Sequence, residues 1–356
     1  MRYYLASLCA FLSFACVDHS LDVSVSEPIS RGDSAMSAWS FEQVKISILD
    51  RSCSGVTGEN IARATASVAL EVTPLVWPAS GYEGADFSGL ELAGVWQLSS
   101  GSADFGAFSG LVETVEGHLL LISDTGRWLQ LELDETRRTP LASALSGRMR
   151  GHDGQILAGK KQADAEGLAV RDGIALVSFE HDHRVSAFAI GACGLAAREV
   201  PLSRVADEPV TGLEMAHNGG AEGLSIAADG SLWLGIETPG EGVAAVGRLL
   251  AAGHLDQVDW RALPAGYRLT GLDMRDGQTA AVFRFYRPGV GNRIFFAVYG
   301  SGETFASGRL APPAPVDNLE GIAFGKAPSG GDRLWLISDD NISRRQRTLL
   351  FAFDLE

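Results

Sequence analysis

The chain has 356 residues, a formal net charge of −15 at neutral pH, 42 glycines and four cysteines. That length permits one large repeat-built domain or two ordinary ones, either with a sizeable core. The acidic balance excludes nucleic acid and anionic membrane surfaces as natural partners, because both would repel it.

Met1-Arg2 supplies one positive charge, and Tyr3 to Ala15 is a short apolar run ending in Ser13-Phe14-Ala15. This is the layout of a secretory signal peptide over residues 1–15, and the run is too short for a comfortable membrane span. The expected destination is the periplasm or the exterior. Cleavage leaves Cys16 first in the mature chain, which raises a lipid there and an outer-membrane anchor. A lipid-attachment box wants an aliphatic residue three before the cysteine, and Ser13 and Phe14 stand in it instead. Residues 16–40 are polar and Ser-rich and read as a flexible lead-in. The domain proper is expected over residues 41–356, as a monomer. Cys53 and Cys193 are the two cysteines of that body, and the sequence leaves a disulfide and two buried thiols equally open. Neither has the spacing of a structural zinc site.

A repeat runs through this body. Ser109-Gly110-Leu111, Glu166-Gly167-Leu168, Glu222-Gly223-Leu224, Thr270-Gly271-Leu272 and Glu320-Gly321-Ile322 recur at intervals of roughly 50 residues. A turn and a second apolar run follow each copy, ending in Asp124, Glu180, Glu237, Arg284 and Asp339-Asp340. Asp172-Gly173, Asp229-Gly230 and Asp276-Gly277 lie in three of the turns and signal tight hairpins. A unit of this size, with an inner hairpin and room for two more strands, is a four-stranded antiparallel propeller blade. Five copies cover residues 105–356. Segment 40–104, with strand-like runs at 44–49 and 90–98, is expected to supply a sixth blade or to close the ring against 348–355. The prediction is an all-β, six-bladed propeller, with seven blades also open.

Hairpin geometry places chemistry without further information. The start of a first strand and the end of a second lie together, so Asp124, Glu166, Glu180, Glu222, Glu237, Glu320, Asp339 and Asp340 should share one rim. Converging carboxylates either rise in pKa or bind a cation, and an oxygen-only set suits Ca²⁺. Glu166, Glu222 and Glu320 are the expected inner ligands, with Asp124 and Asp339 outside them. A repeated Glu-Gly could equally be a blade-building device, its carboxylate bonding a neighbouring blade's amides. Glu180-His181-Asp182-His183-Arg184 gathers imidazoles, acids and a guanidinium, so His181 or His183 is a candidate base and Arg184 an anion-binding group. Arg284 and nearby Arg287 break the acidic pattern and could hold an anionic substrate. Asn218, Asp340 and Asn341 are further substrate-binding candidates, beside Glu180 and Glu237. No nucleophile elbow, zincin helix, P-loop or dinucleotide fingerprint is present.

Leu121 to Trp128, Ala165 to Leu168 with Phe179 to Arg184, Asn218 to Leu224, and Asn318 to Gly321 with Ser338 to Asn341 resemble a bacterial family named for an esterase-like activity of phytase. The likeness spans residues 90–356. It implies an exported phytase-like propeller acting on a small-molecule ester or phosphorylated substrate, with calcium on its acidic rim. β-Propeller phytases also use lysines and arginines for phosphate. Near the repeat copies lysine is confined to Lys160-Lys161 and Lys326, which favours an ester less charged than inositol hexakisphosphate. The competing functions are a non-catalytic binding propeller of the cell envelope and a calcium-dependent lactonase or arylesterase; fold alone does not separate them.

Overall fold

The computed structural model describes residues 39–356 except 137–138, 216–218, 238–241 and 301. The expected signal peptide, Cys16, nearly all of the lead-in, and Asn218 lie outside the described residues.

The repeat folds as predicted, into hairpins whose first strands are Phe108–Glu113, Ala165–Arg171, Ala221–Ile226, Arg268–Arg275 and Asn318–Lys326. Each opens an antiparallel sheet, blades one to five in chain order, and each first strand packs against the next, the fifth returning to the first. Two Asp-Gly pairs make the expected tight turns. Asp172 and Gly173 have φ of 51° and 73°, Asp276 and Gly277 of 52° and 77°, the positive pair that a two-residue hairpin with right-handed strand twist requires. The Asp229-Gly230 turn is wider, closed by Ala227 N–H donating to Ser231 O.

There are five blades, not six. The segment assigned to a sixth blade is instead distributed. Residues 44–49, read as strand, lie in the helix Phe41–Ser52, whose Phe41 and Ile48 are buried against blade two and its neighbours. Ala66–Ala69 adds a fifth strand to blade one, Ala85–Ser88 one to blade four, and Glu71–Pro74 one to blade five. The reason lies in the last blade. The C-terminal repeat supplies it with three strands, ending at Thr348–Leu355, and leaves an open edge. Leu90–Ser99 fills it, pairing Trp96 with Leu350 and Val95 with Phe351. The predicted ring closure is thus present, and it uses up the strand a sixth blade would have needed.

Buried apolar side chains lie in layers between adjacent blades, one layer holding Trp128, Phe179, Phe188 and Leu234 and another Phe296, Phe351 and Phe353. The repeated glycines lie where first strands approach most closely. A Cβ on Gly167 would stand 2.8 Å from Leu224 Cβ, and one on Gly110 2.8 Å from Glu166 O; no larger residue fits there. Cys53, just after the first helix, is disulfide-bonded to Cys193 beside blade two.

Candidate functional site at the acidic rim

Each hairpin carries the same irregularity. The pairing register slips at Ser109, Thr270, Glu222, Glu320 and across Glu166–Gly167, leaving one extra residue in the first strand of every blade. Such bulges re-aim a side chain out of the sheet. Ser109 Oγ donates to Ala165 O at 2.5 Å and Thr270 Oγ1 to Leu319 O at 3.0 Å, tying each blade to the next. In blades two, three and five the bulged residue is glutamate. Between the first strands lies a void of about 10 Å³, lined by Ser109, Glu166, Glu222 and four of the repeat glycines, Gly110, Gly167, Gly271 and Gly321. That void has room for a water at most.

Two residues outward, each hairpin presents a facing pair: Ala107 and Asp124, Asp164 and Glu180, Gly220 and Glu237, Arg268 and Arg284, Asn318 and Asp339. The amides of Asp124, Glu180 and Glu237 donate to the carbonyls of Ala107, Asp164 and Gly220 at 2.9–3.0 Å; the other two pairs are in strand register. Four blades therefore offer acids and the fourth two guanidiniums. Arg268 Nη1 lies 3.1 Å from Glu237 Oε1, and Arg284 Nη2 3.5 Å from Glu320 Oε1. Lys160 Nζ joins Asp124 Oδ2 at 2.6 Å to Asp164 Oδ1 at 2.8 Å.

These few cations do not neutralise the acids. Burial, then the neighbouring glutamates, pushes Glu166 and Glu222 well above the ordinary carboxylate range. Burial and Asp339 push Glu320 up to about 8 against the pull of Arg284. Burial raises Asp339 to about 7, although the Asn341 amide favours its charge. Glu180 rises to about 7 by burial and the proximity of Asp164. Burial also raises Asp124, whose Oδ1 is enclosed without a hydrogen-bond partner. Crowded carboxylates with an orphaned oxygen are a set that protons or a cation would relieve, but among the described residues it is Asp164, Glu180 and His181, not Glu166, Glu222 and Glu320, whose ligand atoms all lie within 4.8 Å of one another.

Of the residues singled out from sequence, Asp124, Glu166, Glu180, His181, Glu222, Glu237, Arg284, Glu320 and Asp339 stand on this rim. Asp340 does not offer its carboxylate to the rim: Oδ1 accepts from the amides of Ala107 and Ile342, and Oδ2 from Thr348 Oγ1. Asn341 is an exposed loop residue with φ of 50°. Arg184 is buried, its Nε bonded to Glu199 at 2.8 Å, Nη2 to Gln162 O at 2.7 Å, its guanidinium over the Phe179 ring. It borders a separate cleft of about 490 Å³ with Asp182, Glu199 and Arg204. His183 lies among Asp207, His181, Arg204 and Asp182. Arg287 is exposed further out on the fourth blade's hairpin. The sequence reading missed Asp164, Arg268 and the bridging role of Lys160. The signal was available for two of them: Asp164 and Arg268 face the second-strand ends already recognised.

Fold and site together define an acid-rimmed five-bladed propeller. The chain belongs to the Phytase-like family, described as esterase-like activity of phytase, whose model matches residues 103–342. No curated protein matches it in sequence. Among solved structures it is similar to the PQQ-bound aldose sugar dehydrogenase of Streptomyces coelicolor, at 14% identity over 79% of this chain and 100% of that one, with a TM-score of 0.43. It is also similar to an α-L-arabinofuranosidase of Clostridium thermocellum, at 10% identity over 78% and 84% of the two chains, with a TM-score of 0.37.

Proposed function

We propose that this rim hydrolyses phosphate or carboxylic esters with the help of a bound calcium ion. The observation that carries the reading is the convergence of Glu166, Glu222 and Glu320, each lifted in pKa by burial and by other carboxylates. Protons or a cation must occupy such a set at neutral pH, and a cation on carboxylate oxygens is the functional alternative. On this reading Glu166, Glu222 and Glu320, whose charges already act on one another, turn their side chains onto the cation, with Asp124 and Asp339 alongside. The chemistry a bound calcium supplies is Lewis-acid polarisation of the ester. Arg268 and Arg284 receive the anionic end of the substrate and the charge that develops on reaction. Asp339 is held in place beside the cation by Asn318 and by the Asn341 amide. The Cys53–Cys193 disulfide supports an oxidising, periplasmic or secreted destination.

The test is hydrolysis of p-nitrophenyl phosphate and p-nitrophenyl acetate by folded protein, with Ca²⁺ and with EDTA. Calcium-dependent turnover that is lost in Glu222→Gln supports the reading. Turnover of neither ester by calcium-loaded protein overturns it in favour of a binding propeller.

A further inference from the structure

We infer that Asp164, Glu180 and His181 form a second cation site at the edge of the rim, built for a transition ion such as Zn²⁺ or Mn²⁺ and not for calcium. Each offers a ligand atom, and these atoms all lie within 4.8 Å of one another. Asp164 Oδ2 and His181 Nε2 are 3.2 Å apart. Two ligands bound at about 2.1 Å to one metal, at angles between 90° and 109°, are separated by about 3.0–3.4 Å, so this pair already has the spacing of a coordination edge. His181 Nε2 and Glu180 Oε2 are 4.0 Å apart, within a small side-chain rotation of the same geometry.

The second observation concerns Asp164. Its side chain is fully buried, its Oδ1 is taken by Lys160, and its Oδ2 accepts no hydrogen bond. A buried carboxylate oxygen set against an imidazole and a second carboxylate is costly whenever those neighbours carry no proton, and an ion then completes it. Lys160 therefore orients Asp164 without occupying the oxygen that faces the cluster, as partners of metal-binding carboxylates do. The backbone supplies rigidity. Glu180 N–H donates to Asp164 O at 2.9 Å, and His181 follows with φ of 57°, a left-handed turn that brings its ring back over the hairpin end. The side chains of Glu180 and His181 are 14% and 23% exposed, so the site has a closed floor and an open side. Three protein ligands with one open position characterise catalytic rather than structural sites.

Imidazole nitrogen sets the selectivity, since calcium prefers an all-oxygen shell and zinc, manganese and their neighbours accept nitrogen. The proposal does not rest on the hydrolase reading, because its readout needs no substrate. Full-length protein stripped with EDTA and shown folded by circular dichroism is titrated calorimetrically with Zn²⁺, Mn²⁺ and Ca²⁺. One equivalent of Zn²⁺ or Mn²⁺ is expected, with a Co²⁺ derivative showing visible d–d absorption. His181→Asn, whose side chain tolerates the left-handed φ, and Glu180→Gln should each weaken Zn²⁺ or Mn²⁺ binding by at least about 10-fold, the smallest loss seen even when a ligand's supporting partner is removed. Calcium binding should change by less than that in His181→Asn. No uptake of either transition ion by the folded protein, or uptake unchanged in both variants, overturns the site.

Discussion

Arg284, on the fourth blade, lies 3.5 Å from Glu320, on the fifth, so the cationic end of the fourth hairpin leans on an inner-ring glutamate. That contact lowers the Glu320 pKa while burial and Asp339 raise it. If Arg284 receives developing negative charge, Arg284→Gln should lower kcat/KM for p-nitrophenyl phosphate by about 100-fold. At pH 7 Glu320 is held mostly protonated by its surroundings, so loss of the 3.5 Å contact should leave little unpaired charge and the melting temperature should hardly move. A large loss of stability with unchanged turnover would assign Arg284 to the scaffold instead.

Stability should depend on pH in an unusual direction. In the folded chain Glu320 titrates near about 8 and Asp339 near about 7, against ordinary values of 4.5 and 3.8. Between those limits the folded state binds more protons than the unfolded state, so stability is lost as pH rises through the window. The melting temperature of EDTA-treated protein is expected to fall from pH 5 to pH 8.5. Added Ca²⁺ should restore it more at pH 8 than at pH 5, because the cation displaces those protons. A melting temperature flat or rising over this range, with no calcium response, would sink the idea of a crowded acidic rim.

Gly167 is packed against Leu224 Cβ and Ser178 Oγ at 2.8 and 2.6 Å from where a Cβ would stand. Gly167→Ala forces two neighbouring first strands apart and should cost about 1–3 kcal/mol, read from the denaturant midpoint. An unchanged midpoint would mean that the repeat glycine is not a packing requirement.

The Cys53–Cys193 disulfide joins residues 140 apart in sequence and ties the first helix to blade two. Replacing both cysteines by serine should destabilise the protein by about 2–5 kcal/mol, measured by unfolding with and without reductant. A double variant as stable as the parent under oxidising conditions would show that the helix docks through Phe41 and Ile48 alone.

Much of the site was legible because it obeys a repeat. The Gly-Leu hairpins marked the blades, and antiparallel geometry carried Asp124, Glu166, Glu222, Glu320 and Asp339 to one end. Asp164 and Arg268 were hidden only because they precede the repeat's first recognisable residue. Arg184 misled for a different reason. It follows His183 in sequence, but alternation along its strand turns it to Glu199 and Phe179, where a guanidinium serves packing. Asp340 misled in the same way, its oxygens taken by backbone and Thr348.

By itself the sequence determined the propeller, its hairpins and the acidity of one rim, because those follow from local periodicity and turn chemistry. Tertiary structure decided the number of blades. Leu90–Ser99 had the pattern of a strand for any blade, and only the open edge beside Thr348–Leu355 gave it a partner. Tertiary structure also decided which charges meet. Arg284 meets Glu320 because the fourth hairpin packs beside the fifth around the axis. No spacing along the chain encodes that closeness, since it arises only when neighbouring blades pack together.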